Sequence, residues 1–338
     1  KNDPLWGTGM MDFAGSGVVH VTGGITALIA SKILGPRKGR FHDEDTDSTI
    51  LSGSTLIKGH SNTLQALGTL ILWFGWFGFN AGSILVVSNQ TSANIAARAA
   101  VSTALGGSSG CITALALAVF FKQRRTGELS WELSDALNGS LAGLVGITGG
   151  CGLFEPWAAL VVGAISGAIY LKASSWLVKY KIDDAVDGIP VHLPNGIWGV
   201  IAVGLLASPR NVMDVYGHDD HVGFFYSLGR GSADAVILGT NLVGLLFVIG
   251  WAFCTMTPFF LMLSYLGWFR ADSLEEIIGL DPTGQKEAGN LVTPQHRMEL
   301  EKRLQVRTSS NVCTNTESGE EKIENEDVID NPYKRKEL

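Results

Sequence analysis

Long apolar segments alternate with shorter polar ones along most of the chain. Seven segments are long and apolar enough to be interpreted as helices that cross a membrane, since a spanning helix needs about 20 mostly apolar residues. Their approximate bounds are 12–34, 63–87, 95–121, 134–150, 153–172, 188–208 and 234–266. The pattern predicts an all-α, polytopic membrane protein whose partner is the lipid bilayer.

Basic residues are unevenly distributed among the loops that join these segments. The loops after the first, third and fifth segments each carry several Lys or Arg, whereas those after the second and fourth carry none outside the helices. The loop after the sixth segment has only Arg210 and Arg230. Because basic loops are retained in the cytoplasm, the N-terminus of this chain is predicted outside and the C-terminus in the cytoplasm.

The composition separates a membrane domain from a polar tail. Only 17% of the 338 residues are charged, against about 25% in an average soluble domain. Ten basic and fifteen acidic residues lie between Arg270 and Leu338, so most of the net charge of -7 belongs to the tail. We predict a transmembrane domain over 1–268 and a cytoplasmic tail over 269–338, with a short helix near its start and disorder beyond about Thr308.

The sequence lacks the residues that several classes of protein need for their function. No basic run suggests a nucleic-acid partner, and the four cysteines are scattered without metal-ligand or disulfide spacing. His218 to His221 (HDDH) have side chains of the type that ligate metals, but they lie in one polar loop, so we interpret them as a solvated loop. No nucleophile–base pair or metal cluster is visible. We therefore expect no enzyme, no bound metal and no cofactor.

Two histidines are candidates for the membrane interior. His20 lies inside the first apolar segment and His192 at the start of the sixth, whereas the other five histidines fall in loops or in the tail. An ionisable residue within a span is costly and suggests function, although a lone histidine can equally bind a neighbouring helix. If the two meet, they can share one N–H···N bond and one excess proton, while repulsion opposes charging both.

Two further features stand beside the histidines. Asp12 opens the first segment, where a carboxylate caps a helix or, as a buried anion, attracts a cation. The aromatic stretch from Trp73 to Ser83 (WFGWFGFNAGS) alternates rings with glycine. Such rings pack between helices, but they can also face a lumen, where a phenyl face attracts cations or blocks a narrow path.

Four stretches together resemble the ammonium transporter (Amt/Mep/Rh) family, most closely its plant and algal branch. They are DFAGSGVVH, GRF, WFGWFGFNAGS and the block DDAVDGIPVH…GIWGVIAVGL, and the resemblance runs from about Asn2 to Asp281. It implies eleven spans, a homotrimer with one pore per subunit, and a plasma-membrane location. Since the chain begins with Lys, we expect the last seven of the eleven spans and an N-terminal truncation.

The resemblance also implies roles for individual residues. His20 and His192 match the paired pore histidines that form a proton relay, and Phe79 matches one ring of the gate. Ser83 and Asp12 match the ammonium-recruitment site. Asp184 and Asp187 are structural acids in front of the second histidine, and Thr283 is a possible phosphosite for a regulatory kinase. One departure is Leu193-Pro194-Asn195-Gly196 after His192, where the family often has Gly and small residues.

The expected function is ammonium transport. Ammonium would be recruited at the outer side and deprotonated, and ammonia would then cross a hydrophobic pore, with or without the proton. Two alternatives remain open, a Rh-like neutral channel for ammonia or carbon dioxide and an ammonium sensor that signals through its tail.

Overall fold

The structure, a computed structural model, describes residues 5–37, 40–41, 57, 59, 61–271 and 276. The regular elements in this part of the chain are all helical. They are a 3-10 turn (Leu5–Gly7), a π-helical turn (Ser16–Val21), and helices α1 (Thr22–Leu34), α2 (Asn62–Gly82), α3 (Gln90–Thr126), α4 (Leu133–Thr148), α5 (Pro156–Lys179), α6 (Gly188–Leu206), α7 (Pro209–Tyr216), α8 (Phe224–Gly229) and α9 (Val236–Tyr265).

Each of the seven apolar segments corresponds to a helix. The largest difference is at the first segment, predicted from residue 12, where the π-helical turn begins at Ser16 and α1 only at Thr22. Helix α2 ends five residues earlier than predicted, α3 extends further at both ends, and α5 ends seven residues later. The short helices α7 and α8 were not predicted and occupy the loop between the sixth and seventh segments. They lack the apolar length that marks a span, so hydropathy does not reveal them.

Five helical stretches are long and apolar enough to cross a membrane by length and composition. The stretches are Ser16–Leu34, Gln90–Thr126, Pro156–Lys179, Gly188–Leu206 and Val236–Tyr265. Helix α4 has 16 residues, which makes it about 24 Å long, shorter than a hydrocarbon core of about 30 Å. Seven spans, as the last seven of eleven, therefore remain a prediction.

Helices α3, α4 and α5 pack through glycine. A Cβ atom on Gly110 of α3 would lie 2.5 Å from the carbonyl oxygen of Gly139 on α4. One on Gly167 of α5 would collide with the carbonyl oxygen of Gly110. Small residues at such positions let helix backbones approach closely, which is common in membrane helix bundles. The three helices form a tight group against which α6 packs.

The contacts between residues divide the chain after Arg270. The first unit contains all the helices given above. In the second unit only Ala271 and Glu276 are among the described residues. The predicted tail helix and Thr283 thus lie outside the described part, and the domain boundary at 268 stays a prediction.

Candidate functional site

His20 lies in the π-helical turn that leads into α1. The turn begins after Gly15, whose φ of 100° falls in the left-handed region that favours glycine. The carbonyl oxygen of Gly15 accepts hydrogen bonds from the backbone nitrogens of Val19 (3.0 Å) and His20 (3.2 Å). Such turns are rare and occur frequently at functional sites. This turn fixes the direction in which the His20 side chain leaves the backbone.

Asp12 supports the same turn through one carboxylate oxygen. Its Oδ2 accepts hydrogen bonds from the backbone nitrogens of Gly17 (2.8 Å) and Val18 (3.0 Å), which are donors that the start of a helix leaves unpaired. The other oxygen, Oδ1, is buried and has no hydrogen-bond partner among the described residues. These contacts are those of a helix cap, and a part for Asp12 in recruitment stays a prediction.

Ser16 joins the turn to α4. Its hydroxyl donates to the carbonyl oxygen of Val145 (2.8 Å) and accepts from the backbone nitrogen of Gly149 (2.6 Å). On the α6 side, a Cβ atom on Gly196 would lie 2.5 Å from the carbonyl oxygen of Ser16. The helix that carries His192 can therefore pack directly against the turn that carries His20.

Two acids hold the start of α6. Asp187 is the N-cap residue with φ of 55°, and its carboxylate accepts hydrogen bonds from the hydroxyls of Tyr170 (3.0 Å) and Ser174 (3.2 Å) on α5. Asp184 Oδ2 accepts a hydrogen bond from the backbone nitrogen of Ile189 (2.6 Å). Burial, and then the negative charge of Asp184, raise the pKa of Asp187, which the hydrogen bonds from Tyr170 and Ser174 oppose. Both carboxylates thus fix the first turn of α6.

Helix α6 continues through Pro194, where the sequence departs from the family pattern. Proline has no N–H, so it cannot bond the carbonyl oxygen of Pro190 four residues earlier. The side-chain amide of the buried Asn195 donates to that oxygen instead, at 2.9 Å. A side chain thereby replaces the missing backbone hydrogen bond, and the helix stays continuous just past His192.

His20 and His192 meet, which the residue pattern alone left open and the family resemblance implied. Their Nδ1 atoms lie 3.2 Å apart and their ring centroids 5.1 Å apart, with 24° between the ring planes. In a hydrogen bond between the two Nδ1 atoms one must donate and the other accept, so the neutral rings hold different tautomers. His20 Nε2 is buried and has no hydrogen-bond partner among the described residues. The pair can share one excess proton.

Aromatic rings of α2 surround His20. The Trp76 ring stacks on it with centroids 5.2 Å apart and 14° between the planes, and Phe79 is tilted at 6.0 Å. Trp76 is buried, whereas Phe79 is 40% exposed. One turn later Ser83 donates its hydroxyl hydrogen to the carbonyl oxygen of Phe79 (2.8 Å).

An ion pair links the far end of α1 to the loop before α6. Asp183 accepts hydrogen bonds from Arg37 Nε (2.7 Å), Nη2 (2.8 Å) and backbone nitrogen (2.9 Å), and from Arg40 Nε (3.2 Å). The Asp183 side chain is 2% exposed, which makes this a buried, multiply bonded carboxylate. The two helices that carry the histidines are thus also joined beyond their ends.

The HDDH loop is held by one hydrogen bond and one ion pair. His221 Nδ1 lies 2.7 Å from Asp234 Oδ2, and Arg230 Nη2 lies 2.5 Å from Asp219 Oδ2. In the described part of the chain, no group of three His, Cys, Asp or Glu side chains is arranged to hold a metal ion. The sequence was interpreted as a solvated loop, and the structure adds contacts of the loop with Arg230 and Asp234.

The predicted site residues fall into two groups. His20, His192 and Phe79 lie together, with Ser83 one turn from Phe79, whereas Asp12, Asp184 and Asp187 support the backbone around them. Sequence reasoning did not single out Trp76 or Asp183. Trp76 precedes Phe79 by three residues and so shares its helix face, a signal that was available.

Residues 5–289 match the sequence profile described as the Ammonium Transporter Family. The chain belongs to this family. Among curated family members, ammonium transporter 1 member 3 of Solanum lycopersicum is 38% identical over 289 residues, which cover 82% of this chain and 59% of that protein. Ammonium transporter 1 member 1 of Oryza sativa subsp. japonica is 36% identical over 289 residues, covering 82% of this chain and 54% of that protein.

Solved structures of ammonium transporter family members share the fold. A protein titled Sensor Amt Protein matches with a TM-score of 0.65 and 30% identity over 82% of this chain and 61% of that one. Candida albicans Mep2 matches with a TM-score of 0.63 and 28% identity over 79% of this chain and 55% of that one. The chain spans a little over half the length of the curated relatives given above. It is a multi-pass membrane protein with the ammonium transporter fold.

Proposed function

We propose that this chain forms part of an ammonium transporter in which ammonium loses its proton before the His20–His192 pair and crosses as ammonia. The observation that carries this proposal is the 3.2 Å contact between the two Nδ1 atoms inside an apolar helix bundle. Moving a bare cation through hydrocarbon is expensive, whereas neutral ammonia crosses an apolar lumen cheaply. Potassium has no proton to release and is excluded.

The histidine pair supplies a balanced route for the released proton. The ring that donates through Nδ1–H has a lone pair on Nε2, which accepts the proton. Its Nδ1 proton then moves to Nδ1 of the other ring, and that ring releases its own Nε2 proton. One proton enters, one leaves, and the two rings exchange tautomers. Transport through this route carries net charge, whereas transport without it is neutral.

Recruitment is assigned to Ser83 and Asp12, and gating to Phe79. The Ser83 hydroxyl hydrogen is already donated to Phe79, so the oxygen lone pairs are left to accept from ammonium. The half-exposed Phe79 ring would restrict hydrated ions, and its face attracts cations. Asp12 adds negative charge beside the turn that carries His20.

The wider setting is also part of the proposal. We place the protein in the plasma membrane as a homotrimer, with the start of this chain outside and its end in the cytoplasm, where Thr283 would be a kinase site. Uptake by a Thr283→Asp variant tests the last point, and wild-type uptake would count against regulation there. One of the similar solved structures is titled as a sensor, so ammonium sensing is the alternative function to transport.

Ammonium-evoked current and labelled methylammonium uptake in oocytes test the proposal, with wild type beside His20→Ala and His192→Ala. We expect a saturable inward current in wild type that is lost, or becomes permeable to potassium, in both variants. Uptake without current would favour the neutral channel. Neither current nor uptake, from protein shown at the surface, would favour the sensor.

A further inference from the structure

We propose that Trp76 and Thr148 are positioning residues that orient the His20 ring. The expected effect on transport rests on the proposed function, whereas the contacts described next do not depend on it. Trp76 Nε1 donates to Thr148 Oγ1 at 3.0 Å, and the indole ring stacks on His20 with 14° between the planes. A single chain of contacts thus runs from α4 through α2 to the first histidine.

The hydrogen bond fixes the indole. Thr148 is fully buried and donates its own hydroxyl hydrogen to the carbonyl oxygen of Leu144 (2.7 Å). Its oxygen is therefore oriented to accept, and Trp76, itself 8% exposed, has an acceptor at one defined point. A tryptophan ring turns about only two side-chain bonds, so an anchored N–H holds the plane of the ring.

The plane of the indole in turn limits His20. The His20 ring lies nearly parallel to both Trp76 (14°) and His192 (24°), with centroids 5.2 and 5.1 Å away. Rotation of His20 about its side-chain bonds would break both stacks and move Nδ1 away from His192. The same orientation keeps His20 Nε2, the atom that takes up or releases the proton, in a buried position.

Helix α2 also contains a matched control for this arrangement. Trp73, one turn before Trp76, donates its Nε1 hydrogen to Ser140 Oγ on the same helix α4 at 2.6 Å. The ring paired with Trp73 among the described residues is Phe77, tilted by 51° at 6.1 Å, and not a histidine. Ser140→Ala therefore removes the same kind of bond between the same two helices without touching the histidine pair.

The experiment compares Thr148→Val, which keeps the shape but removes the acceptor, with Thr148→Ser, which keeps the hydroxyl, and with Ser140→Ala. The first readout is the reactivity of His20 toward diethyl pyrocarbonate in purified protein, measured by peptide mass spectrometry. The second is methylammonium uptake with potassium conductance. We expect Thr148→Val to raise His20 reactivity and to lower maximal uptake by about tenfold, while Thr148→Ser and Ser140→Ala stay near wild type.

Trp76→Phe provides a second test that leaves Thr148 intact, because it removes the donor of the same hydrogen bond and should by itself raise His20 reactivity. It keeps an aromatic face but has no N–H, so Thr148→Val should add little in that background. Equal effects of Ser140→Ala and Thr148→Val, additive effects of Thr148→Val and Trp76→Phe, or unchanged His20 reactivity in Thr148→Val would each overturn the proposal. If wild type transports nothing while Thr148→Val still raises His20 reactivity, the positioning holds and the proposed function fails.

Discussion

A Cβ atom on Gly24 would lie 2.6 Å from the Cα atom of Leu193. Gly24 is one turn beyond His20, and Leu193 directly follows His192, so the two backbones touch beside the histidine pair. A separation of 2.6 Å is shorter than the non-bonded contacts that real Cβ atoms make, which lie above about 3 Å. The distance between the imidazoles therefore depends on the absence of a side chain at residue 24.

Gly24→Ala is expected to force α1 and α6 apart and to break the Nδ1–Nδ1 hydrogen bond. Overpacking of this kind costs about 1–3 kcal/mol, and we expect uptake to be lost before folding is. Gly23→Ala is the control, since a Cβ there meets no atom within 4 Å. Methylammonium uptake and thermal unfolding of both variants check the prediction, which is wrong if the two behave alike.

Ser83→Ala is expected to raise the KM for ammonium by about ten- to a hundredfold and to leave maximal uptake nearly unchanged, because a hydrogen bond to a charged group is worth about 1.5–3 kcal/mol. Ser83→Thr keeps a hydroxyl that can donate to the Phe79 carbonyl oxygen as Ser83 does, and should preserve the wild-type KM. Uptake measured against ammonium concentration gives the KM and the maximal uptake of each variant. A wild-type KM in Ser83→Ala would remove Ser83 from the recruitment site.

Asn195→Ala is expected to destabilise the protein by about 1–3 kcal/mol, since it removes the side-chain donor to the buried carbonyl oxygen of Pro190. Pro194→Ala restores a backbone N–H at the usual helical position. The cost of Asn195→Ala should therefore fall in the Pro194→Ala background. Thermal unfolding of the two single variants and the double variant measures this coupling, and strictly additive effects would show that Asn195 does not replace the missing bond.

The pKa of Asp183 predicts how the stability of the protein depends on pH. Burial alone raises the pKa of Asp183, but the hydrogen bonds from Arg37 and the charges of Arg37 and Arg40 outweigh it and hold the pKa below its ordinary value. A carboxyl whose pKa is lower in the folded state stabilises that state above its unfolded pKa of about 3.9, and this stability is lost as the pH falls through the folded pKa.

Asp183→Asn should therefore lower the stability at neutral pH by about 1.5–3 kcal/mol. The difference from wild type should shrink as the pH falls below about 4. Thermal unfolding of purified protein between pH 3 and 7 checks this, with the exposed Asp220→Asn as the control that should follow wild type. A stability difference between Asp183→Asn and wild type that stays constant down to the lowest pH would contradict a lowered pKa of Asp183.

The sequence predicted the helices and singled out the two histidines because both are marked by local or compositional signals, whereas the pairing of the histidines followed from the family resemblance. Apolar length identifies the spans, and His20 and His192 were the only histidines within apolar segments. The short helix α7 also carried a readable signal. Ser208 accepts a hydrogen bond from the backbone nitrogen of Asn211 (3.4 Å) as an N-cap, Pro209 is the first helical residue and Gly217 follows the end.

The supporting contacts could not be predicted because they join residues distant in the chain. Ser16 and Val145 are 129 positions apart, and Arg37 and Asp183 are 146 apart. Nothing in the local pattern of either partner indicates which distant group it will meet. The histidines are thus visible in the sequence, whereas the distant partners that fix their backbones are visible only in the fold.

The π-helical turn Ser16–Val21 has a consequence for insertions and deletions. Such a turn holds one residue more than an α-helical turn would, and each residue of a helix rotates the next by about 100°. Removing a single residue between Ser16 and Val19 would leave only enough chain for an α-helical turn. The two hydrogen bonds that the Gly15 carbonyl oxygen accepts from Val19 and His20, and the contacts of Asp12 with Gly17 and Val18, could then not all be kept. The number of residues in this segment is therefore restricted as well as their identity, and a homologue that lacks one of them should hold its first histidine by a different set of backbone hydrogen bonds.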